Sequence, residues 1–139
     1  MTHSVEQLWS AIRTWIDDPE SSVEYAEQVE GSVAMRMRQE ARDASTVWWT
    51  PRQRSLTAEL LILPAPERNA AACYRLALDR NRSTFRCWYA LDVDGGVVLR
   101  SRLVNEEIAP EVLDSVLGEM YEQVEVTFRP LVRLAFDRG

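Results

Sequence analysis

Lysine is missing from this chain: all sixteen basic residues are arginine, and histidine occurs once, as His3. Without lysine there is no Schiff-base chemistry and no phosphate-cradling P-loop lysine. His3 stands where chains usually fray, a poor place for a general base. Cysteine is scarce as well. Cys73 and Cys87 share no metal-type spacing and have no histidine beside them, so they read as small buried hydrophobes in a reducing cytoplasm. Apolar runs are short, none near the roughly 18 residues of a membrane span. Met1–Asp18 lacks the basic start and unbroken apolar stretch of a signal peptide. A glycine-rich phosphate loop, a nucleophile elbow and internal repeats are also missing. These absences predict no enzyme, no cofactor, no metal site and no membrane span.

What is present is a folded globule. The chain has 139 residues, 46% of them hydrophobic and 27% charged, which predicts one domain over residues 1–139 with a core large enough to need no staples. The formal charge of −6 is unevenly spread. Residues 1–30 carry seven acids and one arginine, residues 31–102 twelve arginines and seven acids, and residues 103–139 eight acids and three arginines. A basic centre thus lies between acidic ends.

The hydrophobic pattern sets the element order. Ser4 followed by Gln7 predicts a capping box. Val5, Leu8, Trp9, Ile12, Trp15 and Ile16 form one stripe, so a first helix is expected until Asp17-Asp18-Pro19 ends it. From Ser32 the period becomes two: Val33, Met35 and Met37 alternate with Arg36 and Arg38. Val47–Thr50 reads as a second strand and Leu56–Leu63 as a central one, completing a three-stranded antiparallel meander. Val23–Glu30 fits either the start of the first strand or a loop. Pro64-Ala65-Pro66 then stops the meander and signals a helix, marked by Ala70, Cys73, Tyr74, Ala77 and Leu78 and ending near Asn81. A hairpin follows, with Phe85, Cys87, Tyr89 and Leu91 on one face. A long helix opens at Pro110 on Leu113, Val116, Leu117, Met120, Val124, Phe128 and Leu131, with Pro130 expected to kink or interrupt it. The class is α+β: helix, meander, helix, β-hairpin, long C-terminal helix.

Parity selects the hairpin turn. A two-residue loop at Asp94-Gly95 would place Arg100 and Arg102 among apolar residues. A three-residue loop with Gly96 left-handed pairs Leu91 with Leu99 and Tyr89 with Ser101, gathering Arg86, Trp88, Arg100 and Arg102 on the other face. Asp92-Val93-Asp94-Gly95 opens like a calcium loop, but Leu103 stands where a bidentate glutamate belongs, and a turn accounts for these residues. Glu111, Asp114, Glu122 and Glu125 read as the solvated side of the last helix, with Glu125 paired to Arg129.

The stretch from Cys73 to Phe136 resembles the YbjN family, whose fold is similar to class I type III secretion chaperones. The residues that carry the likeness are Tyr74-Arg75-Leu76, Asp79-Arg80-Asn81, the strand Phe85–Asp92, Leu99-Arg100-Ser101-Arg102-Leu103 and the tail from Leu113 through Phe128 to Phe136. The resemblance spans about residues 23–136. It implies a chaperone-like fold and a regulatory or protein-binding role, and it brings no catalytic site.

Arg86, Trp88, Arg100 and Arg102 are therefore the candidate partner-binding residues, with Arg36 and Arg38 extending the surface. Arginine stacks on tryptophan and forks onto carboxylates, a pairing favoured in interfaces. The expected function is a non-catalytic protein-interaction module, chaperone-like or regulatory, able to form a homodimer. The alternative is a small-molecule sensor with an arginine-lined pocket between the sheet and the last helix. Nucleic acid is not an expected partner, because a pI near 4.9 opposes the electrostatics that dominate such binding.

Overall fold

The computed structural model describes the backbone of Thr2–Phe136 and the side chains of residues 4–136, so the His3 side chain lies outside the described residues. The chain runs α1 (Thr2–Asp17), β1 (Val23–Val29), β2 (Ser32–Arg38), β3 (Ala44–Pro51), β4 (Ser55–Leu63), α2 (Ala70–Arg80), β5 (Trp88–Leu91), β6 (Val97–Val104) and α3 (Pro110–Phe136). The strands form one six-stranded antiparallel sheet in the order β1-β2-β3-β4-β6-β5. Leu56–Leu63 is the central strand its apolar sequence predicted, bonded to β3 and β6.

The meander has four strands, since Val23–Val29 pairs with β2. A register break at Glu24 interrupts the period of two, and only one face of this edge strand is covered, so its alternation is faint in the sequence.

Alternation directs Met35, Met37, Val47, Trp49, Leu60 and Leu99 to one sheet face, where all are fully buried. Helices α1 and α3 cover this face, and α2 packs beside β5 and α3. Leu8, Ile12 and Trp15 of α1 meet Val116, Met120 and Val124 of α3 in the same core. Trp15 stacks on Trp49 at 6.3 Å between ring centroids, and its indole N–H donates to Asp114. Removing the roughly 200 Å² of Trp49 from water is worth about 5 kcal/mol.

Several details depart from the sequence reading. Helix α1 begins at Thr2, so Ser4 is not its cap; its hydroxyl donates to Asn105 Oδ1 at 2.9 Å. Ile16 falls off the buried stripe near the helix end and is exposed, as is Leu78 on α2. Helix α2 starts four residues beyond Pro66, entered through Asn69 at φ 55°, whose amide group donates to the Leu134 carbonyl. Pro130 does not interrupt α3. The carbonyl it deprives of an amide belongs to exposed Val126, where water can reach it.

The acids of α3 are not merely solvated. Asp114 holds Trp15, and Glu125 binds the β2–β3 turn: one oxygen accepts the amides of Glu40 (2.8 Å) and Ala41 (3.1 Å) and the side-chain amide of Gln39 (2.7 Å). Burial pushes the Glu125 pKa up, but these donors, with a smaller contribution from Arg129, outweigh it and hold the carboxyl below its ordinary value.

The hairpin turn has the expected three-residue loop, shifted by one position. Leu91 pairs with Val97 and Tyr89 with Leu99, and Gly95 rather than Gly96 has the positive φ, 89°. Asp92 decides the register: its Oδ1 accepts the amides of Asp94 (2.9 Å) and Gly96 (2.8 Å). Parity is unchanged, so within the paired residues of β5 and β6 each side chain keeps the face assigned to it.

Candidate functional site

The sheet face away from the helices is open. Residue pairing carries one row straight across it: Ala34 opposite Trp48, Trp48 opposite Glu59, Glu59 opposite Arg100 and Arg100 opposite Trp88. The Arg100 guanidinium pairs with Glu59 at 3.2 Å, and an indole flanks this ion pair on each side, Trp48 on β3 and Trp88 on β5. Trp48 is 40% exposed and Trp88 41%, large values for rings that could have been buried. Leu61 and Tyr25 on the same face are exposed too. At the surface the ion pair is worth only about 0–1 kcal/mol, so it orders the face more than it stabilises the fold.

The candidate residues separate into groups. Trp88 and Arg100 stand directly opposite each other, and Arg102 lies two residues along β6, opposite Thr57 and exposed. Arg86 precedes β5 and does not join the row; its guanidinium lies over the Phe85 ring at 5.1 Å and its buried Nε has no partner among the described residues. Arg36 shares the open face, but β3 and β4 separate its strand from β6, placing the two strands about 14 Å apart. It pairs with Glu24 at 2.9 Å, and Arg38 donates to the Ser21 carbonyl at 3.2 Å.

Glu59, Leu61 and Trp48 complete the surface. Glu59 and Leu61 were hidden because β4 is so apolar that its alternation barely shows. Their signal was phase, since Thr57, Glu59 and Leu61 fall out of step with Leu56, Ala58, Leu60 and Ile62.

Phe85–Cys87 leaves the expected strand because Glu119 on α3 captures its backbone. The carboxylate accepts the amides of Phe85 (2.9 Å), Arg86 (2.7 Å) and Cys87 (2.7 Å). Phe85 is consequently 82% exposed instead of lying on the inner face. Cys73 and Cys87 are buried free thiols. Burial pushes both pKa values up, and neighbouring Glu119 raises that of Cys87 further, so neither is an activated nucleophile.

A groove of about 600 Å³ lies between the end of α1, the β1–β2 side of the sheet and α3. It includes Trp15, Leu117 and Tyr121 together with Asp18, Glu20, Glu40 and Asp114, and Arg38 is its only arginine. The pocket expected between sheet and last helix is thus acidic rather than arginine-lined. Among the described residues, no group of three or more His, Cys, Asp or Glu could hold a metal ion. Nor is any helix there long and apolar enough to cross a membrane.

No family model matches the chain. By sequence it is similar to an uncharacterised protein of Mycobacterium leprae, 33% identical over 84 residues, covering 60% of this chain and 46% of that protein. An uncharacterised protein of Mycobacterium tuberculosis is 30% identical over the same length, with the same coverage. The chain therefore spans about half the length of the curated relatives it matches. Among solved structures, the HopA1–SchA chaperone–effector complex aligns with TM-score 0.62 at 12% identity, covering 91% of this chain and 94% of the matched one. The Yersinia pestis type III secretion chaperone SycH, in complex with a fragment of YscM2, gives 0.52 at 18% identity, with coverages of 84% and 96%. The ExoU–SpcU complex from the type III secretion system of Pseudomonas aeruginosa gives 0.54 at 13% identity, with coverages of 68% and 88%. At such identities the likeness concerns architecture, and the chain has the α+β fold of type III secretion chaperones.

Proposed function

We propose that this chain is a non-catalytic protein-interaction module, chaperone-like or regulatory, that takes a protein partner on the open face of its sheet. The carrying observation is the row Trp48–Glu59–Arg100–Trp88, with two half-exposed indoles around an ion pair on an uncovered face. Aromatic residues and arginine are the residue types enriched in interfaces. The fold supports the reading, because two of the similar structures are chaperones in complex with a protein. We further assign the chain to a YbjN-like group acting as one domain in the cytoplasm, with self-association through α2 and β5. That last point rests on exposed Leu78 and Leu91, which flank a small apolar hollow there.

The test is affinity capture from the source cell with wild type beside Arg100→Ser/Arg102→Ser and Trp48→Ser/Trp88→Ser. A stoichiometric protein held by wild type and lost from both variants is the expected result. A partner retained equally by all three sinks the sheet-face reading.

The acidic groove favours a second reading, a small-molecule-sensing domain. Its four carboxylates select a cationic ligand, not a phosphate. A thermal-shift panel separates the two readings, since a ligand that binds only the native state raises Tm.

A further inference from the structure

The arginines of the open face differ in what they already hold. Arg36 and Arg38 share Glu24, and Arg100 holds Glu59. The Arg102 side chain holds nothing: it is exposed and makes no hydrogen bond or ion pair among the described residues. The side chains of Arg52 and Arg54 in the β3–β4 turn are likewise exposed and without a hydrogen bond or ion pair among the described residues. That turn is tied to the end of β6, because the Asn105 amide donates to the Arg54 carbonyl and the Asn105 side chain to the Gln53 carbonyl, both at 3.0 Å. Three unneutralised arginines therefore occupy one corner of the sheet in a chain of net charge −6. The acids that follow in sequence, Glu106 and Glu107, lie in the turn into α3, and Glu107 is occupied by the Val104 amide at 3.0 Å.

We infer that the segment recognised by the open face is acidic as well as apolar: one apolar side chain sits on the Trp48–Trp88 row and an aspartate or glutamate pairs with Arg102 and the Arg52/Arg54 turn. This rests on the sheet-face reading and adds the partner's chemistry to it. Arg102 lies two residues beyond Arg100 along β6, roughly 7 Å from the tryptophan row. Two side chains that far apart are i and i+2 on an extended segment, or i and i+4 on a helix, where one turn rises about 5.4 Å. A carboxylate takes two parallel N–H bonds from a guanidinium, so unpaired arginines are the matching receptor. A nucleic-acid phosphate has similar charge, but the acidic balance of the whole chain repels a polyanion more than a short carboxylate-bearing segment.

The full chain is immobilised and a random twelve-residue peptide display library is selected on it. The tightest selected peptide is then measured by fluorescence anisotropy, with an oligothymidylate run beside it. Enriched peptides carrying an aromatic or large aliphatic residue with Asp or Glu are expected. The same peptide should lose at least tenfold in affinity on Arg52→Ser/Arg54→Ser/Arg102→Ser. These side chains hold nothing among the described residues, so circular dichroism and Tm should match wild type. Arg102→Glu should turn the selection toward lysine and arginine. Neutral or basic peptides, an unchanged affinity in the triple variant, or oligothymidylate binding more tightly than any peptide overturns the inference and leaves the sheet face standing. Binding unaffected by Trp48→Ser/Trp88→Ser, or no enriched peptide at all, overturns the sheet-face reading together with the inference.

Discussion

The side chain of Asn81 closes the edge of the sheet at Tyr89. Its carbonyl accepts the Tyr89 amide at 2.6 Å, and its amide group donates to the Tyr89 carbonyl at 3.2 Å. One residue just past α2 thus stands in for a neighbouring strand, satisfying both outward backbone groups where another chain could pair. Asn81→Ala leaves those groups unpartnered and should cost about 1–3 kcal/mol in urea denaturation. It should also produce concentration-dependent species larger than wild type on size-exclusion chromatography. A variant with wild-type midpoint and elution would show that the edge is protected by something else.

Glu119 on α3 does similar work for the segment just before β5, and its effect depends on pH. Burial pushes its pKa up, but the amides of Cys87 and Phe85, the Cys87 side chain and the Arg86 amide outweigh it, leaving the carboxyl below its ordinary value. A group whose pKa is depressed by folding stabilises fully above its unfolded value, and that stability is lost as pH falls through the folded one. Wild type should therefore lose stability as pH falls below the ordinary glutamate value of about 4.3. Glu119→Gln should be about 1–2 kcal/mol less stable at neutral pH and should lose less over that acid range. Parallel acid-unfolding curves for the two proteins would remove Glu119 from the account.

Periodicity revealed the architecture because each long element buries one face against the same core. The stripe of Leu8, Ile12 and Trp15 and the alternation of Met35 and Met37 are direct consequences of that burial. What escaped was settled by single polar side chains acting over long sequence separations. Nothing near Phe85 announces that Glu119 will take its backbone amide, and nothing near Asp114 announces Trp15. Val23–Val29 stayed ambiguous because a bulged edge strand carries little alternation. The candidate surface was legible in part. Parity placed Trp88 with Arg100 correctly, whereas the partners that complete the row come from β3 and β4, and no local pattern specifies which strands will be neighbours.

The adjacent glycines of the hairpin are required for different reasons, and substitution can tell them apart. Gly95 has φ 89°, and an added Cβ would lie 3.2 Å from the Tyr74 hydroxyl oxygen, which donates to the Gly95 carbonyl at 2.8 Å. Backbone conformation is the main obstacle there, so Gly95→Ala should cost about 1–2 kcal/mol. Gly95→Asn should recover part of it, since asparagine tolerates the left-handed region. Gly96 has no such φ, but a Cβ would stand 2.9 Å from Asp92 Oδ2 and 3.0 Å from the Leu63 carbonyl oxygen. Backbone cannot step aside cheaply, so Gly96→Ala should cost about 1–3 kcal/mol with no recovery in Gly96→Asn. Equal behaviour of the two asparagine variants in urea would refute this division.

Arg42 provides the sharpest distinction between charge and shape. Its Nη1 donates to the Ile62 carbonyl and its Nη2 to the Leu61 carbonyl, each at 2.8 Å, while Nη2 also reaches the Ser45 hydroxyl at 2.8 Å. The guanidinium carbon lies 4.9 Å from the centroid of the Phe128 ring. Between Leu61 and Leu63 the β4–β6 register shifts, and a planar fork is the shape that serves consecutive carbonyls beside such a break. Burial lowers the Arg42 pKa, yet a guanidinium stays protonated throughout the working range, so this anchor adds no pH dependence. Lysine retains the charge but offers one ammonium in place of the fork. Arg42→Lys should therefore lose about 1–3 kcal/mol, with faster hydrogen exchange at amides around Leu61–Leu63 and Val97–Val98. If Arg42→Lys stays within about 0.5 kcal/mol of wild type, charge alone holds this corner and the fork is incidental.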